Sequence, residues 1–169
     1  MSKTVLMILA EDPFRDPEYF DPKKVLEDAG VKVVTTSTAP VAKGAEGAEV
    51  QVDLLLNEVH EEDFDAIVFI GGKGSSQYYD VPKAHELARY GAGKGKVLGS
   101  ICASVGTLAR AGVIKGKKAT SDPGVADMLK AGGATYTTEG VTKDGNIITA
   151  KGRTNGKEFG EALLKELSR

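Results

Sequence analysis

Cysteine is nearly missing from this chain, and its single example, Cys102, stands out for that reason. One thiol leaves no intrachain disulfide to form, which suits a reducing cytoplasm. Histidine is almost as scarce. His60 lies in the acidic stretch Glu58 to Asp65 and His85 inside a predicted helix, so both read as surface residues and no Cys-His dyad is evident. No second cysteine and no paired histidines offer metal-ligand spacing. Long apolar runs are absent too: none approaches the roughly 20 residues of a membrane span. Val5 to Ala10 is soon interrupted by Glu11 and Asp12, too short for a signal peptide, and reads as a first strand. Charge of one sign is also lacking. The 22 Lys and Arg against 24 Asp and Glu give a net charge of -2, no electrostatic footprint for nucleic acid. The cluster Lys115, Lys117, Lys118 reads as a solvated turn. No repeat or linker divides the 169 residues, so a single domain over 1–169 is expected.

Glycine, by contrast, is plentiful, and it punctuates an alternation of strands and helices. Val5-Leu9 and Val31-Thr36 have strand length and composition, and between them Pro22 to Ala29 is helical, stopping at Gly30. Gly47 to Asp53 alternates weakly, as an edge strand or hairpin arm. Asp65 to Ile70 is the clearest buried strand and ends at Gly71-Gly72. Pro82 to Tyr90 follows as a helix with proline in its first turn. Lys96 to Ile101 is a strand, Cys102 its corner, and Ala103 to Arg110 a helix. Ala119-Thr120, Thr135-Thr138 and Asn146-Ala150 read as strands, with Gly124 to Ala131 helical and Lys143 to Asn146 a hairpin turn. Phe159 to Leu167 is a final amphipathic helix. Such an order predicts a mostly parallel sheet covered on both faces, with ligands outside the carboxyl ends of its strands.

Two loops at that edge carry chemistry. Cys102, at a strand-to-helix corner, would have helix amides behind it that stabilise a thiolate and lower the thiol pKa. Gly71-Gly72 lacks the spacing of a phosphate loop, but its backbone amides could approach a bound group. Beside a nucleophile, Gly72 and Ala103 could then supply the two amides of an oxyanion hole. A tight turn without function is the simpler reading of Gly71-Gly72 taken alone. Glu18, in a loop flanked by Pro13 and Pro17, should reach the same edge. From position alone it is a solvated surface acid; with a raised pKa it could shuttle a proton. Tyr78-Tyr79 would line a pocket or, with slight preference, a subunit contact.

Taken together, Glu18 after the first strand, Ala66 to Gly72, Ser100-Ile101-Cys102, Ala111 to Ser121 and Asp144 to Thr149 resemble the DJ-1/PfpI superfamily over nearly the whole chain. That resemblance implies a flavodoxin-like three-layer α/β sandwich with a nucleophile elbow at Cys102, assembled as a homodimer or a higher homo-oligomer. It implies a protonated glutamate, Glu18, bonded to the sulfur, and oxyanion donors at the amides of Gly72 and Ala103. No cofactor and no metal are implied. Two departures stand out. PfpI-type members have histidine directly after the cysteine, where this chain has Ala103, and take a partner glutamate where Ser76 stands. The deglycase branch has alanine after the cysteine, as here, but a histidine before a proline where Asp122-Pro123 stands. Asp122 would therefore be a protonated donor or point away. The implied activity is that of a glutathione-independent glyoxalase or deglycase acting on small reactive dicarbonyls such as methylglyoxal. A redox-sensing stress chaperone acting through Cys102 oxidation, and a PfpI-type peptidase or amide hydrolase, are the alternatives.

Overall fold

The computed structural model describes residues 2–169. In chain order its elements are β1 (Thr4–Ile8), α1 (Asp16–Asp28), β2 (Lys32–Ser37), β3 (Val41–Lys43), β4 (Glu49–Gln51), β5 (Leu54–Leu55), β6 (Ala66–Phe69), α2 (Pro82–Gly91), β7 (Val97–Ile101), α3 (Val105–Ala111), β8 (Lys118–Ala119), α4 (Ala126–Ala131), β9 (Thr135–Tyr136), β10 (Val141–Asp144), β11 (Ile147–Ala150) and α5 (Gly156–Leu167). Seven strands form one sheet in the order β10-β11-β7-β6-β1-β2-β5. All its pairings are parallel except that of β10 with β11. The β3–β4 hairpin and the β8–β9 pair lie outside that sheet.

Parallel strands covered on both faces must be apolar on both, and β1 and β6 are buried along their length for this reason, β1 from its second residue. Alternate residues feed two cores. Val5, Met7 and Val68 pack with Leu26 of α1 and Phe159 and Leu163 of α5. Leu6, Ile8, Ile67 and Phe69 pack with Leu87 of α2 and Leu108 of α3. The result is the α/β three-layer sandwich that the alternating pattern predicts. Gly99 in β7 lets α5 settle closely: a Cβ there would stand 2.8 Å from Leu163 Cδ2 and 3.0 Å from Phe159 Cζ.

Several local boundaries depart from the sequence reading. Helix α1 begins at Asp16, not Pro22, so Glu18 belongs to the first turn of a helix and not to a loop. Proline inside a helix forfeits a backbone hydrogen bond. Here Pro22 is buried and packed on α5, where a Cβ at Gly160 would meet Pro22 Cα at 2.8 Å, so close helix packing holds the helix together through that residue. The helix after Cys102 opens with a 3-10 turn, Cys102–Ser104, before α3, and α4 is likewise preceded by the 3-10 turn Pro123–Val125. The weak alternation of Gly47 to Asp53 is the β4 arm of a hairpin that folds over the loop before α1, where Phe14 bridges Gly44.

Candidate functional site

Cys102 caps the carboxyl end of β7 with φ 65, the only positive φ at a non-glycine among the described residues. A cysteine held there stores roughly 1–3 kcal/mol of backbone strain. Ser104, which is buried, anchors this corner. Its hydroxyl accepts the Ile101 N–H at 3.1 Å and lies within donating distance of Ile101 O (2.8 Å), Phe69 O (3.0 Å) and Ser100 Oγ (2.7 Å). One hydroxyl proton serves one acceptor at a time, but each of these contacts fixes the corner to the ends of β6 and β7. The sequence offered only the four-residue spacing of Ser100 and Ser104 as a hint.

Glu18 reaches this corner from the first turn of α1 and is 1 % exposed. Gly71 lies between acid and thiol. A Cβ on Gly71 would overlap Glu18 Oε1 and stand 2.7 Å from Cys102 Cβ, so only glycine lets the two side chains meet. Gly72, with φ 115, adopts a conformation glycine favours, and it packs on the backbone of Phe14 and Arg15. Arg15 N–H in turn donates to Gly71 O at 2.9 Å. Glu18 Oε1 has no well-aligned hydrogen bond, although the carboxyl group borders the thiol and the Gly71 amide.

That arrangement sets the proton balance. Burial pushes Glu18 up to about 7, with Asp122 adding to the rise and the Cys102 thiol, Arg15 and the Gly71 amide opposing it. Burial, and then the Glu18 charge, push the Cys102 thiol up to about 12, against the lowering effect of the Ala103 amide. The thiol is therefore raised, opposite to the expectation from helix amides alone. A single short turn cannot offset the loss of water and a neighbouring carboxylate. The two groups oppose each other's ionisation: a charged Glu18 disfavours the thiolate, and a neutral Glu18 removes that opposition.

The remaining candidates divide. Asp122 Oδ2 accepts the Gly124 N–H at 2.8 Å, capping the Pro123–Val125 turn. It thus acts as an acceptor in its own turn, while its charge raises both Cys102 and Glu18. Ser76 is exposed and spends its hydroxyl on Lys73 O. His60 sits exposed in its acidic loop; His85 is half-buried and donates from Nε2 to Tyr79 O at 2.6 Å, a placement the sequence did not suggest. Neither tyrosine reads as a simple contact surface. Tyr78 is buried with its hydroxyl donated to Leu9 O at 2.7 Å, and Tyr79 is half-buried with its hydroxyl on Ala103 O at 2.8 Å.

Two further features of the edge went unseen in the sequence. Buried Asp16 accepts the amides of Glu46 and Ala48, each at 3.0 Å, and so ties the β3–β4 hairpin to the start of α1. Glu46 then stands between Arg15 (3.8 Å) and Arg153 (3.6 Å). Among the described residues, no group of three or more His, Cys, Asp and Glu could hold a metal, and no helix is long and apolar enough to cross a membrane.

A flavodoxin-like sandwich with a strained cysteine against a buried acid at the carboxyl edge of its sheet defines a recognisable class of α/β protein. Within that class the chain belongs to the DJ-1/PfpI family, whose model matches residues 3–166. It is 34 % identical over 147 residues to a deglycase of Pyrococcus abyssi, covering 86 % of this chain and 89 % of the relative. It is 30 % identical over 167 residues to a glutathione-independent glyoxalase of Caenorhabditis elegans, covering 98 % of this chain and 89 % of that one. The solved structure of a ThiJ/PfpI domain protein from Brachyspira murdochii superposes with a TM-score of 0.94 at 32 % identity, covering 98 % and 96 % of the two chains.

Proposed function

We propose that this protein is a glutathione-independent glyoxalase, with deglycase-like reach, that converts small dicarbonyls such as methylglyoxal into hydroxy acids through Cys102. The observation that carries this reading is the buried contact of Glu18 with Cys102 across Gly71. It pairs a nucleophile with a carboxyl group whose pKa, about 7, suits proton exchange at neutral pH.

In the first step the ionised Glu18 takes the thiol proton as sulfur adds to the aldehyde carbon. The aldehyde C=O bond becomes an oxyanion, which meets the amides of Gly72 and Ala103 and takes back the proton from Glu18 to give a hemithioacetal. Glu18, ionised again, next carries the proton of the former aldehyde carbon to the ketone oxygen, giving an enediol, and then the proton of the hemithioacetal hydroxyl to the neighbouring carbon. This turns the ketone into an alcohol and the hemithioacetal into a thioester on Cys102. Water cleaves the thioester, releasing lactate and restoring the thiol. Methylglyoxal and one water account for every atom of lactic acid, so no external oxidant or cofactor is needed. Burial and the Glu18 charge, with a smaller contribution from Asp122, disfavour a standing thiolate, so sulfur gives up its proton as it attacks. We place the reaction in the cytoplasm, in a homodimer or higher homo-oligomer, on the strength of the single thiol and the family resemblance.

Lactate formation from methylglyoxal by the purified protein, without glutathione, tests the reading. Lactate no faster than in Cys102→Ala would sink it. The redox-sensor alternative, in which Glu18 holds an oxidised Cys102, ranks below it because similar proteins named deglycase and glyoxalase favour carbonyl chemistry. Peptidase chemistry lacks an imidazole base at the Ala103 and Asp122 positions.

A further inference from the structure

Gly72 and Ala103 follow different strands, yet the segments that carry them are tied together. After Gly72 the chain makes a 3-10 turn, Lys73–Tyr78, that closes at Tyr79. The Tyr79 hydroxyl crosses to the neighbouring turn and donates to Ala103 O at 2.8 Å. Its ring lies against Gly106 of α3, where a Cβ would stand 2.8 Å from the ring edge. The Tyr79 carbonyl is itself held by His85 Nε2 at 2.6 Å. One residue later, Asp80 pairs with Arg110 Nη1 of α3 at 2.7 Å. Two consecutive residues thus clamp the loop after β6 onto the turn and helix after β7.

We propose that Tyr79 is a positioning residue that sets the spacing between the amides of Gly72 and Ala103. It touches no substrate; it acts through the Ala103 carbonyl, by fixing the peptide plane next to the donor. This rests on the assignment of those two amides as oxyanion donors. Such a hole works only when both donors meet the developing oxygen at about 3 Å. A displacement of about 1 Å can cost as much as 100-fold in rate. Among the side chains that join the two donor segments, Tyr79 is the one bonded to the Ala103 carbonyl itself, so the phenol hydroxyl has a role that packing alone would not require.

The test compares two reactions of Cys102 that differ in their need for an oxyanion hole. p-Nitrophenyl acetate acylates sulfur through a tetrahedral oxyanion and releases p-nitrophenolate. Iodoacetamide alkylates it by displacement of iodide and forms no oxyanion. In Tyr79→Phe the acylation rate constant should fall about tenfold, while the alkylation rate and its pH midpoint stay within about twofold. Gly106→Ala, which keeps the phenol but pushes the ring aside, should show the same selective loss and serves if Tyr79→Phe does not fold. Equal losses in both reactions, or no loss in either, would overturn the proposal. Acylation does not depend on dicarbonyl turnover. A wild type that made no lactate would therefore defeat the proposed reaction while leaving this comparison decisive.

Discussion

At the amino ends of the strands polar side chains tie the chain together, whereas at the carboxyl ends a buried acid meets a strained cysteine. Asn146 Nδ2, before β11, lies within 2.9–3.4 Å of the carbonyl oxygens of Gly91, Ala92, Gly93 and Lys96. Asp65, before β6, accepts the Thr4 N–H at 2.9 Å. Across the sheet, Glu18 Oε1 is buried without a partner and Cys102 sits in a strained backbone. One end is finished as structure; the other holds stored cost, which is where strain and unsatisfied groups gather when a site must bind and react. Substitutions should therefore separate stability from turnover according to the end they strike.

The largest effect belongs to Cys102. Cys102→Ala should lower lactate formation from methylglyoxal on the order of a thousandfold or more. Its unfolding free energy should change by less than about 1 kcal/mol, because alanine keeps the same strained φ and loses little packing. A large loss of stability by denaturant titration would show that the cysteine is structural and erase the contrast.

Glu18→Gln comes next, and here the two properties should move in opposite directions. Turnover should fall by about 100-fold or more as the proton carrier is lost. Stability should rise at alkaline pH. The carboxyl pKa goes from 4.5 to about 7 on folding, so the folded state binds that proton more tightly. The stability this brings is fully present below about 4.5 and is lost as pH rises through about 7. Glutamine does not titrate. The stability of Glu18→Gln relative to wild type should therefore climb by about 3 kcal/mol between pH 4.5 and 8. A difference that stays flat across that window would mean Glu18 is solvated in solution.

Asn146→Ala probes the opposite end. Removing an amide shared among four carbonyls should cost about 2 kcal/mol, read as a lower melting temperature, with lactate formation near wild type. Lost turnover in a folded variant would mean that the two ends are coupled.

How much of this the sequence could reveal differs between the same two regions. The sheet and its covering helices were legible because burial on both faces imposes apolar runs such as Ala66 to Ile70, with glycines marking the ends. Cys102, Gly71-Gly72 and Glu18 could be assigned to one edge because parallel topology brings strand ends together. What could not be read depends on contacts remote in sequence. Pro22 looked like a helix start because its packing on Gly160 is long-range. The direction of the Cys102 shift is not legible in the sequence, because nearby amides are visible there and burial against Glu18 is not. Ser104, Tyr79 and Asp16 act mainly through hydrogen bonds to backbone atoms, which leave little pattern in composition or spacing.

The smallest effect tests whether the carboxyl end is held back electrostatically. Asp122 adds to the rise of both Glu18 and Cys102, and it does so from a capping bond to the Gly124 amide. Asparagine can keep that cap through its carbonyl oxygen while removing the charge. Asp122→Asn should therefore leave the melting temperature nearly unchanged. It should bring the pH midpoint of Cys102 alkylation down from a wild-type value above that of an ordinary thiol. At fixed pH the alkylation rate should rise roughly several-fold, since thiolate formation no longer works against a second carboxylate. If the midpoint stays where it is, the restraint on sulfur comes from burial and Glu18 alone, and Asp122 belongs with the finished, structural end of the comparison.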